Sequence, residues 1–143
     1  MKQSLLLFFF LLISIRVMAP TERFQPLLKP DPVNPYLNLY KASCFVESSH
    51  RAKVINEEEQ AYGIVMIRQC KLDDFNKATG KKYVLTDCFN TSISKEIFMQ
   101  HCDIYGPYNL EKCSRTWNGG PNGMKYKETE EYYLKIQKVL LSL

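Results

Sequence analysis

Apolar residues recur at intervals of three and four through most of the chain after Tyr36, the spacing that gives a helix one buried face. Leu37, Tyr40 and Cys44 set the first stripe and predict a helix from about Tyr36 to Glu47-Ser48-Ser49. A second helix fits Lys71 to Thr79, with Leu72 and Phe75 on one face and Gly80 as its stop. Ile93, Ile97 and Ile104 mark a third from about Ser92 to Tyr105, closed by Gly106-Pro107. A fourth starts at Asn109, a favoured N-cap, and ends by Asn118-Gly119-Gly120-Pro121. The fifth opens at Thr129. Glu130 and Glu131 lie in its first turn and Lys135 and Lys138 further on, a charge order that suits the helix dipole. Between the first two helices, Tyr62 to Ile67 is an apolar run containing Gly63, and fits a buried strand or a short helix equally well. The pattern predicts one mainly α domain over 36–143, with no internal repeat.

The chain before Tyr36 follows other rules. Pro20, Pro26, Pro30, Pro32 and Pro35 exclude regular helix and predict an extended, Pro-rich arm over 20–35. Ahead of it, Lys2 precedes an apolar run from Leu5 to Ile15, broken only by Ser14, and Arg16 follows. A membrane span needs roughly 20 apolar residues, so this shorter run fits a secretory signal peptide over 1–19 better. Ala19 supplies the small residue expected before a cut, although Pro20 after it is a poor neighbour. An uncleaved anchor is the alternative. The expectation is a secreted or periplasmic protein with no stable membrane span once the signal is removed.

A length of 143 residues allows one domain and little more. The formal charge of +4 arises with acidic residues mixed throughout, which gives no basic face for nucleic acid. Six glycines and seven prolines exclude a collagen-like chain. Five cysteines in an exported domain permit disulfides and leave at least one thiol unpaired. Cys102 and Cys113 are the closest in sequence and form the one expected bridge; the others read as small buried thiols. No Cys-x-x-Cys pair occurs, and His50 and His101 make no zinc pattern with the cysteines. A catalytic Cys102 paired with His101 is disfavoured, because adjacent helical residues point apart. No metal or cofactor is expected.

Three segments, taken in order, carry a likeness. Glu47-Ser48-Ser49, with Ala61-Tyr62-Gly63-Ile64-Val65-Met66-Ile67 beyond it, is similar to the Glu-Ser and Gly-Leu-Met-Gln-Ile motifs of the lytic transglycosylases. Trp117-Asn118-Gly119-Gly120-Pro121 resembles that family's Tyr-Asn-Ala-Gly-Pro. Glu128-Thr129-Glu130-Glu131-Tyr132-Tyr133 resembles its Glu-Thr-x-x-Tyr-Val, and Lys135-Ile136 follows where the family often has Lys-Val. The resemblance runs from about Ser43 to Val139. It implies a lysozyme-like (SLT, goose-type) helical domain with a cleft, a monomer acting on peptidoglycan glycan strands. This chain departs from the family at Met66, which replaces Gln, and at Trp117, which replaces Tyr.

The implied reaction cleaves the β-1,4 bond between N-acetylmuramic acid and N-acetylglucosamine with Glu47 as the single catalytic acid. A glycosidic oxygen is a poor leaving group and needs a proton as its bond lengthens. A glutamate at a helix end among apolar groups can have its pKa raised enough to supply one; the alternative is a solvent-facing helical glutamate. The resemblance makes Ser48, Gly63, Met66, Trp117, Asn118, Glu128 and Tyr132 the substrate-binding set. Bland roles stand beside these: a tight turn for Gly63, core for Trp117, a helix C-cap for Asn118 and an N-terminal cap for Glu128. Two other functions fit the same fold. A hydrolytic lysozyme would need a second carboxylate to activate water, for which Asp73, Asp74 and Asp87 are candidates by composition. An inactive glycan- or protein-binding domain is favoured by Met66 and Trp117.

Overall fold

The computed structural model describes Asn34 and residues 36–143. The expected signal peptide over 1–19 and all of the arm over 20–35 except Asn34 lie outside the described residues. Helix α1 spans Leu37–Ser48 and is followed by three short strands, β1 (Ile55–Asn56), β2 (Ala61–Tyr62) and β3 (Ile67–Arg68). The strands pair antiparallel in the order β1-β2-β3, with Ile55 opposite Tyr62 and Tyr62 opposite Ile67. Then come α2 (Gln69–Thr79), a 3-10 turn (Leu85–Phe89), α3 (Thr91–Tyr105), α4 (Leu110–Gly119), a second 3-10 turn (Gly123–Lys125) and α5 (Lys127–Leu140). The described chain is therefore mainly α, with one small sheet.

Each helix lies where the apolar spacing predicts it, and the ends differ for local reasons. Ser49 closes α1 in the left-handed region (φ 52°), its N–H donating to the Cys44 and Phe45 carbonyls. Gly80 closes α2 in the same way (φ 73°). That helix begins at Gln69, two residues earlier than Lys71, because β3 runs directly into it through the extended Arg68. Asn109 caps α4 as expected, its Oδ1 accepting from the Lys112 N–H at 2.8 Å. The helix continues through Asn118 to Gly119, and Gly120 (φ 74°) is the terminator. Asn118 is thus not the C-cap. Helix α5 starts at Lys127, so Thr129 lies inside the first turn, its hydroxyl 2.5 Å from the Gly123 carbonyl and 2.8 Å from that of Tyr126. The run Tyr62 to Ile67 resolves into strand, turn and strand.

Helix α1 contributes Leu39, Tyr40, Ala42 and Cys44 to the core, where they meet Leu72, Phe98, Trp117, Tyr132 and Ile136 of the other helices. Both α1 and α4 pack against α5. Cys102 and Cys113 form a disulfide between α3 and α4, with Cα atoms 5.0 Å apart. Cys102 is therefore not a free thiol for His101 to activate. Cys44 and Cys88 are buried free thiols and Cys70 is an exposed one; burial pushes the first two up to about 11, which makes them poor nucleophiles. Replacing Cys102 and Cys113 together by alanine is expected to cost about 2–4 kcal/mol, read as a lower urea midpoint. An unchanged midpoint would show that packing alone sets the α3–α4 junction. Among the described residues, no helix is long and apolar enough to cross a membrane.

Candidate active site

Glu47 occupies the last turn of α1, and the segment beyond β2 is fastened next to it. The Ser48 hydroxyl is buried and lies 2.8 Å from the Ile64 carbonyl and 3.1 Å from that of Cys44. The neighbouring Val65 carbonyl accepts from Trp117 Nε1 at 3.1 Å. Gly63 supplies a third attachment. Its N–H donates to the Val54 carbonyl at 2.9 Å, and its φ of 79° lies in the left-handed region. A Cβ there would stand 2.1 Å from the Cys88 carbonyl oxygen. The turn from Gly63 to Met66, closed by the Met66 N–H on the Gly63 carbonyl, is bonded to α1, α4 and Val54 at once and lies close against the first 3-10 turn.

This arrangement leaves a cavity of about 460 Å³ whose walls include Glu47, Met66, Trp117, Asn118 and Tyr132. Five of the eight residues singled out from sequence therefore meet at one place. Ser48 and Gly63 do not line the cavity. Ser48 ties the end of α1 to the turn, and the close approach that needs Gly63 is to the Cys88 backbone rather than to a sugar. Glu128 is exposed in the first turn of α5 and outside the cavity wall. Trp117 is only 5% exposed. Phe98 at 4.8 Å, His101 at 5.2 Å and the Lys71 ammonium at 5.4 Å from its ring centre leave little of it for a ligand.

The electrostatics converge on Glu47. Burial pushes its carboxyl up to about 7 from an ordinary 4.5; the Tyr132 hydroxyl opposes this, the Glu59 carboxylate adds to it and Arg68 opposes it. A carboxylate is further disfavoured by the negative end of the α1 dipole. Tyr132 is 8% exposed, and its hydroxyl, beside Glu47 and Ser43, has no partner in full hydrogen-bond geometry. Ser43 Oγ is likewise buried and unpartnered. Burial, with Glu47 next to it, raises the Tyr132 pKa well above its usual range, so the phenol stays protonated and can donate. The group is an acid that is half protonated near neutrality, with a phenol and a serine hydroxyl behind it.

Several cavity residues carry no local signal in the sequence. Glu59 is the last of three consecutive glutamates in the turn between β1 and β2. It lines the cavity and accepts from Arg68 on β3. Lys71 and Cys70 enter from the start of α2, and Lys135 from α5. The three aspartates proposed as a second carboxylate do not line this cavity: Asp73 accepts from Gln69, Asp87 from the Val84 N–H, and Asp74 lines a second cavity that shares Lys71 and Trp117 with it. Among the described residues, no three of His, Cys, Asp and Glu gather as a metal site. The chain matches no protein-family model and no curated protein.

Proposed function

We propose that this protein is a lysozyme-like lytic transglycosylase, exported to act on peptidoglycan. One observation carries the reading: a carboxyl held protonated up to about pH 7 shares a cavity with Met66, Trp117, Asn118 and Tyr132. Glu47 donates its proton to the oxygen between N-acetylmuramic acid and N-acetylglucosamine as the bond to C1 breaks. The N-acetyl carbonyl of the substrate stabilises the cationic carbon. Glu47, now a carboxylate, takes the proton of the C6 hydroxyl as that oxygen bonds to C1. The product is a 1,6-anhydro sugar, no water is consumed, and one protein carboxylate suffices because the substrate provides the second group. Tyr132 stands where it can stabilise the carboxylate formed midway.

Glu59 favours a second reading. Hydrolysis needs a second carboxylate in the same cavity as the acid, and Glu59 lines it; water would add at C1 and pass its proton to Glu59. A digest of purified peptidoglycan analysed by mass spectrometry separates the two. Anhydro ends support the lytic route, reducing ends support hydrolysis, and the absence of any product leaves glycan binding.

Placement in the cavity also separates Asn118 from Glu128. Asn118→Ala is expected to lower kcat/KM about tenfold, the loss of about one hydrogen bond to substrate, with little change in melting temperature because Gly120 closes the helix. Glu128→Ala is expected to leave turnover unchanged and stability within about 0.5 kcal/mol. A turnover defect in the Glu128 variant would restore that residue to the site.

A further inference from the structure

We infer that Lys71 is the counter-ion for a carboxylate carried by the saccharide, placed where two cavities adjoin to form one binding track. This rests on the glycan-cleaving reading and narrows its substrate to strands whose muramic acid carries a free lactyl carboxylate, unsubstituted by peptide. The second cavity, about 190 Å³, lies between α2 and α3 and shares Lys71 and Trp117 with the first. Its other walls include Phe75, Gln100, His101 and Tyr105. Gln100 Oε1 is buried there without a partner. The Lys71 ammonium donates to the Thr116 carbonyl at 2.9 Å and stands 3.3 Å from His101 Nδ1, above the rings of Trp117 and Tyr105.

Two of its three protons are thereby placed, and the third has no fixed acceptor. Among the described residues no carboxylate pairs with Lys71; the ion pairs are Arg68–Glu59, Lys81–Glu96 and Arg115–Glu111. Charged or titratable groups face it from every side: Cys70 and Asp74 on α2, Arg68 on β3, and His101 on α3. Asp74 is exposed, and His101, pushed down to about 3 by burial and by Lys71 itself, is neutral. Burial lowers Lys71 to about 8, as expected of a desolvated cation with no carboxylate in contact. Where its peptide stem is absent, muramic acid brings a carboxylate on its lactyl ether, close to the bond to be cut, and N-acetylglucosamine has none. The amine that borders both cavities is suited to tell them apart.

The test compares glycan strands with free carboxylates against the same strands methyl-esterified. Wild type is expected to favour the free acid at least tenfold in kcat/KM. Lys71→Gln should bring the ratio close to one, Lys71→Arg should keep part of it, and Lys135→Gln should preserve it. An unaltered ratio in Lys71→Gln, or one that collapses in Lys135→Gln instead, overturns the assignment. A second measurement needs no variant. The lysine side chain titrating near pH 8 can be followed by NMR in wild type with N-acetylmuramic acid or N-acetylglucosamine added. Its titration should move upward with the first sugar only, and an equal response to both, or to neither, overturns the proposal. Wild type that neither cleaves nor binds any glycan would fail the functional reading itself. Cleavage with no preference for the acid would fail this inference alone.

Discussion

Glu47→Gln is expected to lower kcat by about 10²–10⁴ while leaving the protein folded. The amide preserves size and can still meet the Tyr132 hydroxyl, but it has no proton to give to a departing oxygen. A stability signature accompanies the loss. The folded state holds the Glu47 proton up to about pH 7, whereas the free side chain releases it near 4.5. Between these values the folded protein binds more protons than the unfolded chain. Wild-type stability therefore declines as pH rises through that window and levels off above it. Glutamine does not titrate, so the variant should melt like wild type at pH 4 and above it at pH 8. The wild-type rate should fall as pH rises through 7, as the acid is lost. A folded Glu47→Gln protein with substantial turnover would remove Glu47 from the chemistry. A variant with no gain in melting temperature at pH 8 would show that its carboxyl is not desolvated.

Gly63→Ala should be the most damaging small substitution near the site. Two costs act together. The left-handed φ of 79° costs a residue with a Cβ about 1–2 kcal/mol. The added methyl also meets the Cys88 carbonyl at 2.1 Å, and forcing atoms into a filled interior costs about 1–3 kcal/mol more. A loss of about 2–5 kcal/mol should appear as a large drop in urea midpoint. Turnover per folded molecule should fall as well, because the turn carrying Met66 must shift to relieve the contact. If Gly63 instead served to admit sugar, the alanine variant would keep its midpoint and lose only substrate affinity.

The helices were legible because each spends its apolar stripe on one shared core, a local regularity that spacing reveals. Leu37, Tyr40 and Cys44 mark α1, and Ile97 marks α3, in just this way. Ends were legible where a cap is a side-chain or glycine property, as at Asn109 and Gly80. They were two residues late at α5, which opens at Lys127, so that the Thr129 hydroxyl serves Gly123 and Tyr126 from inside the first turn. The site was legible in part. Glu47, Met66, Trp117, Asn118 and Tyr132 do share a cavity. Ser48 and Gly63 belong to its support, through bonds and contacts that reach 16 and 25 residues along the chain, which no local pattern encodes. Glu59 was hidden for another reason. Three consecutive glutamates look alike in sequence, and only the turn between β1 and β2 decides which one reaches Arg68 and the cavity.

The three fastenings of the Gly63–Met66 turn have a consequence for selectivity. A wall whose carbonyls are already claimed by Ser48 and Trp117, and whose glycine is wedged against Cys88, has no slack to give. Its ordering cost was met during folding, so on the proposed function a well-matched glycan should lose little affinity to immobilising this wall. The same stiffness works against a poor match. A ligand with a misplaced substituent cannot push the turn aside without breaking a buried hydrogen bond, and is expected to be excluded rather than accommodated. Discrimination on this side of the cavity should come from shape, independent of charge.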